Sequence, residues 1–269
     1  MTYYIKVEPN VKIYVEDINP KGNKTILFIH GWPADHNLFE YQFNKLPALG
    51  FRCIGIDIRG FGNSDRPFGD YSYNRLSDDV RAVVDALKLQ NFTLAGHSVG
   101  GAIAIRYMAR HHSFGVSKLA LFAPGAPSII KRKDFPYGVP KEEITSLIEQ
   151  TYSDRPKMLQ NFGEIFFFQN ITVPFSDWFF NLGLKAAGWS TAAVAKNFIN
   201  ETLFSDLNKI NVPTLILHGI HDKVCLFELG VALNKAIKNS KLVPFEYSGH
   251  GLFYEEKEKF NKELVDFIG

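Results

Sequence analysis

Short, uninterrupted apolar runs that alternate with helical patterns constrain the fold of this chain more than any other feature. The four runs are Thr25–His30, Phe51–Asp57, Phe92–Ala95 and Lys118–Phe122. Continuous apolar strands are typical of a sheet that is covered on both faces. Between these runs, apolar residues recur at helical spacing, as they do from Leu76 to Leu87. Strands that alternate with helices predict right-handed crossovers and a mostly parallel sheet flanked by helices.

Two segments depart from this alternation, one at the N-terminus and one in the middle of the chain. Tyr3–Glu8 and Val11–Glu16 predict an N-terminal hairpin. After Pro124 the pattern becomes helical, and the candidate helices are Lys141–Gln150, Arg155–Phe168, Ser176–Ala187 and Thr191–Asn200. Strand character returns at Val212–His218 and Leu242–Tyr247, before an amphipathic helix over Glu255–Ile268.

The position of the helical segment predicts the domain organisation. We predict an α/β core domain formed by residues 1–124 and 212–269, and an inserted helical cap formed by residues 125–211. The cap is expected over the carboxyl edge of the sheet, where ligands bind in open α/β sheets.

The segment Gly96–Gly100, which reads G-H-S-V-G, lies between a predicted strand and a predicted helix. A serine in this context sits in a tight, strained turn, and the glycines are needed because larger side chains would clash. The turn exposes the hydroxyl of Ser98 and directs the N–H of Val99 to where an oxyanion would form. We interpret Ser98 as a nucleophile and Val99 as an oxyanion donor. The alternative is a glycine-rich helix start with an N-capping serine.

A serine nucleophile needs an adjacent base, and that base is usually oriented by an acid. His250 follows the last predicted strand between two glycines, and Asp222 follows the strand Val212–His218. The order serine, aspartate, histidine is that of the α/β-hydrolases. A turn-forming Asp222 is the alternative. A metal site with His218 and His221 is disfavoured because no fourth group is suggested, so no metal is expected.

The second oxyanion donor is predicted in the loop after the first parallel strand. His30–Pro33 reads H-G-W-P, which makes the Trp32 N–H the candidate donor. Pro33 has no N–H and fixes the backbone after Trp32. The glycine-containing segment Arg59–Ser64 does not match a dinucleotide-binding loop, and we interpret it as a tight turn at a strand end.

Charge and composition exclude several classes of partner. Lys and Arg number 30 against 28 Asp and Glu, which gives no strong field for nucleic acid or an anionic membrane. No apolar run approaches the ~18 residues of a membrane span. The two cysteines cannot form a disulfide framework, and Cys53 lies in an apolar strand. With no visible signal peptide, a cytoplasmic setting is the default expectation. The sequence is compatible with a homo-oligomer.

Four motifs together resemble the α/β-hydrolase superfamily, and the likeness extends over nearly the whole chain. They are His30–Pro33, Asp57–Asp65, Gly96–Gly101 and Ser248–Gly251. More narrowly, the chain is similar to the cofactor-free haloperoxidase, arylesterase and perhydrolase group. That resemblance implies a serine carboxylesterase that hydrolyses small neutral esters through an acyl-enzyme, with water or hydrogen peroxide as acceptor and no cofactor. It also implies a perhydrolase side activity.

The resemblance further implies a substrate pocket. Phe162, Phe166 and Val224 fall where the group lines its acyl pocket, beside Trp32, and Pro33 matches a proline found in its better perhydrolases. Two positions depart from the group: Val99 replaces the common methionine or threonine, and Cys225 stands where a proline is usual.

Two other functions remain open at this point. A C–C hydrolase or lyase would use the same three side chains, with an added polar group for its substrate. A ligand-sensing protein could use the same pocket to bind a small molecule and signal to a partner, since a fold does not fix a function.

Overall fold

The computed structural model describes residues 1–269, which form one eight-stranded sheet. In chain order the strands are β1 (Thr2–Glu8), β2 (Val11–Ile18), β3 (Lys24–Ile29), β4 (Phe51–Ile56), β5 (Phe92–His97), β6 (Val116–Phe122), β7 (Thr214–Gly219) and β8 (Ser240–Phe245). The spatial order is β1-β2-β4-β3-β5-β6-β7-β8. The pairs β1–β2 and β2–β4 are antiparallel, and every other pair is parallel.

Helices cover the sheet and fill the segment between β6 and β7. They are α1 (Glu40–Lys45), α2 (Tyr73–Ala86), α3 (Val99–Arg110), α4 (Lys141–Ser153), α5 (Arg155–Phe166), α6 (Val173–Leu184), α7 (Gly188–Asn200), α8 (Phe204–Leu207), α9 (Phe227–Ala236), α10 (Leu252–Glu255) and α11 (Lys257–Ile268). No helix is both long and apolar enough to cross a bilayer.

The parallel sheet, the flanking helices and the inserted helices confirm the predicted fold class. The β5 strand is buried at every position, as expected for a central strand covered on both faces. Only helices and two isolated β-bridges lie between β6 and β7. The exact division into a core and a cap domain stays a prediction.

Several helix boundaries differ from the sequence prediction by two or three residues, and two of the differences have a clear local cause. The helix predicted to reach Phe168 ends at Phe166, and the next residue is extended at φ −107° and ψ 144°. The Phe166 carbonyl instead accepts the N–H groups of His250 and Gly251. The C-terminal helix is two helices, α10 and α11, because Glu256 leaves the helical conformation at φ −124° and ψ 48°.

A buried ionic cluster ties β4 to the N-terminal hairpin. The His36 ring bonds to Asp57 through Nδ1 at 2.7 Å and to Glu16 through Nε2 at 2.8 Å. The second oxygen of Asp57 accepts the Asn63 N–H at 2.8 Å. Burial lowers the pKa of His36, but the carboxylates of Asp57, Asp35 and Glu16 outweigh this effect and the pKa is raised overall. Burial opposes ionisation of Asp57, yet bonding to His36 leaves its pKa lowered.

We expect His36→Asn to destabilise the fold by about 3–5 kcal/mol, because Asp57 would be left buried without its partner. The raised pKa of His36 contributes stability below about pH 6.5, and this is lost as pH rises through the folded-state value. The lowered pKa of Asp57 contributes stability above about pH 4. Urea unfolding should therefore show a larger loss near pH 5.5 than near pH 9. The exposed His112→Asn is the control, and equal losses at both pH values would contradict this account.

Candidate active site

Ser98 lies in a strained turn between β5 and α3. Its φ of 54° and ψ of −118° fall in a region that non-glycine residues rarely occupy. A Cβ on Gly96 would lie 2.3 Å from the Gly100 carbonyl oxygen, and one on Gly100 would lie 2.2 Å from that of Ile29. The Ser98 N–H donates to the Phe122 carbonyl at 2.9 Å. The predicted turn is therefore present, and its glycines are required by close backbone approach.

His250 and Asp222 meet at the same edge of the sheet, each in the loop after a strand. The distance from His250 Nδ1 to Asp222 Oδ2 is 2.7 Å, and both side chains are buried. The other Asp222 oxygen accepts the N–H groups of Val224 and Cys225, both at 2.8 Å. Burial would raise the pKa of Asp222, but His250, His218 and their hydrogen bonds lower it far below its ordinary value. Asp222 is therefore ionised, and Nδ1 of His250 is the protonated nitrogen.

The second nitrogen of His250 faces no partner. His250 Nε2 is buried and unpartnered, and Ser98 Oγ lies 3.9 Å from Cys225 Sγ with no hydrogen bond to His250. His97, which precedes Ser98, donates from Nε2 to the His250 carbonyl at 3.0 Å, and the two rings are 4.5 Å apart. The acid–base bond is therefore formed and the base–nucleophile bond is not. Rotation about the Ser98 Cα–Cβ bond reorients the hydroxyl, and such bonds often form only in the substrate complex.

The predicted oxyanion donors are both backbone N–H groups without partners in the chain. Val99 is the first residue of α3, so its N–H has no intrahelical acceptor. The other donor, the Trp32 N–H, is oriented by His30. His30 Nε2 accepts the Ile58 N–H, so the ring proton is on Nδ1. Nδ1 therefore donates to the Gly31 carbonyl, 2.9 Å away. The Gly31–Trp32 peptide is trans, so the Trp32 N–H points opposite to that carbonyl. This orientation of the peptide has no signal in the sequence.

A cavity of about 100 Å³ opens onto Ser98. Its apolar lining consists of Trp32, Ile129, Val139, Ile144, Leu147, Phe162, Ile165, Phe198 and Val224. The only charged side chains on it are Glu143 and Lys223. The predicted pocket residues Trp32, Phe162 and Val224 thus line the cavity. Phe166 does not, because its ring packs edge-on against His250 with centroids 4.8 Å apart.

Several of the residues that line the cavity were not predicted from the sequence. Those of α4 and α7 belong to apolar helical patterns whose inner face could equally have been buried against the core. Ile129 and Val139 lie in a loop without periodicity. Only the three-dimensional arrangement of the inserted helices selects them.

One group of side chains has the spacing of metal ligands, away from the cavity. Ligand atoms of Asp35, His36 and Asp57 lie within 4.8 Å of one another. Both ring nitrogens of His36 already bond to carboxylates, and Lys185 pairs with Asp35 at 2.9 Å. A metal ion would have to displace these bonds. The His221 ring, considered above as a ligand, stacks on Phe168 at 3.7 Å.

Comparison with known proteins agrees with this geometry. The model of the alpha/beta hydrolase fold family matches residues 24–257. An AB hydrolase superfamily protein of Bacillus subtilis, YisY, is 48% identical over 99% of both chains. A bifunctional esterase/perhydrolase of Acinetobacter calcoaceticus is 31% identical over 98% of this chain and 99% of its own. The structure of an esterase from Exiguobacterium antarcticum is 44% identical and superimposes with a TM-score of 0.97, covering 100% and 99% of the two chains.

The chain therefore belongs to the α/β-hydrolase family. Within that family it is related to the cofactor-free haloperoxidase and perhydrolase group, as its motifs indicated, and non-heme chloroperoxidases are among its relatives. The family and these relatives support a hydrolase that acts on ester bonds.

The role of His30 in orienting a peptide can be tested with His30→Leu. We expect kcat for 4-nitrophenyl acetate to fall by about 10²-fold with little change in KM, because the Trp32 N–H loses its fixed direction. Steady-state kinetics measures both constants, and thermal unfolding checks the fold. His112→Leu, at an exposed site, should leave kcat unchanged. A folded His30→Leu protein with wild-type kcat would show that the peptide is oriented by other means.

Proposed function

We propose that this chain is a serine carboxylesterase for small neutral esters and that it reacts through an acyl-enzyme at Ser98. One observation carries the proposal. A buried, ionised Asp222 holds Nδ1 of His250 at 2.7 Å, Nε2 of the same ring has no partner, and the strained Ser98 opens onto an apolar cavity. The buried rings of His97 and His218 also leave one nitrogen unpartnered, but the closest partner of their other nitrogen is a backbone carbonyl and not a carboxylate.

The proposed mechanism follows from these contacts. Nε2 of His250 takes the hydroxyl proton of Ser98 as Oγ attacks the ester carbonyl carbon. The N–H groups of Trp32 and Val99 stabilise the oxyanion, and Asp222 stabilises the imidazolium. When the intermediate collapses, His250 gives the proton to the departing alcohol. Water then attacks the acyl group with His250 again as base, which releases the acid and restores Ser98.

The cavity lining supports a small neutral acyl group. Nine of its twelve lining residues are hydrophobic, and its charged members, Glu143 and Lys223, have opposite signs. Burial of acyl carbons against an apolar wall is favourable. A charged group buried there would lose its hydration without a compensating ion pair or hydrogen bond. The edge-on contact of Trp32 with Phe162, 5.0 Å between centroids, adds an aromatic surface suited to aryl groups.

Perhydrolysis is proposed as a second outcome of the same acyl-enzyme. Hydrogen peroxide replaces water as the attacking nucleophile, His250 accepts its proton, and the products are a peracid and free Ser98. The step uses the same base and oxyanion donors, so it needs no additional group. The support for it is the relationship to the esterase/perhydrolase of Acinetobacter calcoaceticus and the presence of Pro33 directly after the proposed oxyanion residue.

Ser98→Ala should abolish hydrolysis of 4-nitrophenyl acetate, with kcat reduced by about 10⁴-fold or more, because no nucleophile remains. Ser153→Ala, at an exposed position at the end of α4, should retain wild-type kcat. A burst of 4-nitrophenol equal to the enzyme concentration would report the acyl-enzyme. Substantial turnover by a folded Ser98→Ala protein would refute the mechanism.

Pro33→Leu should lower the ratio of peracid formation to ester hydrolysis. Leucine restores an N–H and frees φ next to Trp32, so the backbone that carries the proposed oxyanion donor becomes less rigid. The measurement is peracid formation in peroxide, divided by hydrolysis of the same ester without peroxide. A ratio equal to that of the wild type would remove Pro33 as its determinant.

A further inference from the structure

A single carboxylate joins the end of α5 to the loop that carries His250. Glu255 Oε1 accepts the backbone N–H groups of Phe168 and Gln169 at 2.6 and 2.7 Å. Its other oxygen, Oε2, accepts the N–H of Gly249 at 2.8 Å. We propose that Glu255 is a positioning residue that holds His250 and the α5 wall of the cavity in one fixed arrangement. The inference rests on the proposed role of His250 as the base.

Backbone contacts on both sides of Glu255 complete this junction. The Phe166 carbonyl accepts the N–H of His250 at 2.8 Å and that of Gly251 at 3.2 Å. The Gln169 side chain donates to the Tyr247 carbonyl at 2.7 Å. Together with the edge-on ring of Phe166, these bonds place the last turn of α5 directly against the main chain and the ring of His250.

The junction leaves no space for relative movement of its two sides. A Cβ on Gly249 would lie 2.9 Å from Phe168 N, and one on Gly251 would lie 2.3 Å from the Phe167 ring. Displacement of the segment after α5 must therefore displace the His250 loop. Because Phe162 and Ile165 of α5 line the cavity, the same junction sets the position of the acyl wall relative to the base.

The three donors explain why this position carries a carboxylate. An ionised carboxylate accepts hydrogen bonds on both oxygens, whereas an amide has one acceptor oxygen and one donor NH₂ group. Glutamine at position 255 could satisfy either the Gly249 side or the Phe168 and Gln169 side, but not both. Its NH₂ group would face a backbone N–H on the other side, which costs the desolvation of that donor.

The neighbouring Glu256 provides a matched contrast. Its Oε2 accepts the Tyr247 N–H at 2.9 Å and the Ser248 hydroxyl at 2.6 Å. Both partners lie in the histidine loop, and none lies in the segment after α5. Glu256 therefore supports the loop alone, whereas Glu255 connects it to the acyl wall.

The test compares Glu255→Gln, Glu256→Gln and the exposed Glu258→Gln with 4-nitrophenyl acetate and hexanoate. We expect Glu255→Gln to lower kcat for both esters by about 10- to 100-fold. It should also change the ratio of their kcat/KM values by about threefold or more, because the acyl wall shifts with the base. Glu256→Gln should change kcat much less and leave that ratio unchanged, because one amide oxygen can still accept both of its donors, and Glu258→Gln should alter neither. Wild-type kcat in a folded Glu255→Gln protein, or an unchanged ratio, would overturn the proposal.

A second readout does not depend on ester turnover. The proton shared by His250 Nδ1 and Asp222 should give a low-field NMR resonance, which we expect to shift or broaden in Glu255→Gln but not in Glu258→Gln. If the wild type hydrolysed no ester, this resonance would still test the positioning role while the proposed function failed. Glu255→Asp, which keeps the charge but shortens the side chain by one methylene, gives the same test if Glu255→Gln does not fold. An unperturbed resonance in both variants would overturn the proposal.

Discussion

The approach of α3 to the sheet is the constraint on which the rest of the site depends. The helix can begin directly after β5 only because Gly96 and Gly100 have no side chain. A Cβ at either position would lie within 2.3 Å of a backbone carbonyl oxygen, that of Gly100 in the turn or that of Ile29 in β3. As a consequence, Ser98 adopts a strained backbone conformation with a positive φ. The conformation persists because α3 is buried along nearly its whole length, so the strained turn cannot relax without withdrawing the helix from the core.

Four buried histidines surround this turn, and their partners separate the structural ones from the proposed base. His30 bonds to the Gly31 carbonyl, His97 to that of His250 and His218 to that of Cys225. A carbonyl acceptor requires a proton on the nitrogen that faces it, and burial lowers the pKa of both His30 and His97. Asp222, which is itself held by two N–H groups, lies 2.7 Å from His250 Nδ1 and 3.4 Å from His218 Nε2, whose closer partner is the Cys225 carbonyl. Among these four rings, His250 therefore has the closest contact with a carboxylate, which is the contact that stabilises an imidazolium.

Local sequence was sufficient to predict the elements and the three side chains of the proposed triad. Apolar runs specify strands, and a serine between glycines at a strand end specifies a turn, because both depend on residues adjacent in the chain. The direction of Phe166 could not be predicted in this way. Its position in an aromatic helix predicted that it would line the pocket. Instead, its carbonyl accepts the N–H of His250 and its ring packs against the His250 ring, and His250 is far away in sequence. Glu255 was not predicted for the same reason. The three groups that donate to its carboxylate are backbone N–H groups, which have no sequence signature.

The inserted helices differ from an independent lid in how they join the core. A lid that opens freely would separate the substrate wall from the catalytic groups, whereas α5 ends in main-chain hydrogen bonds to His250 and Gly251. Movement of α5 away from the cavity would break these bonds and expose the N–H groups that they satisfy, at a cost comparable to losing buried hydrogen bonds. The opposite wall, formed by α4, has no such attachment to the histidine loop. Access that preserves the geometry of His250 is therefore easier on the side of α4, which contributes Glu143 to the cavity lining.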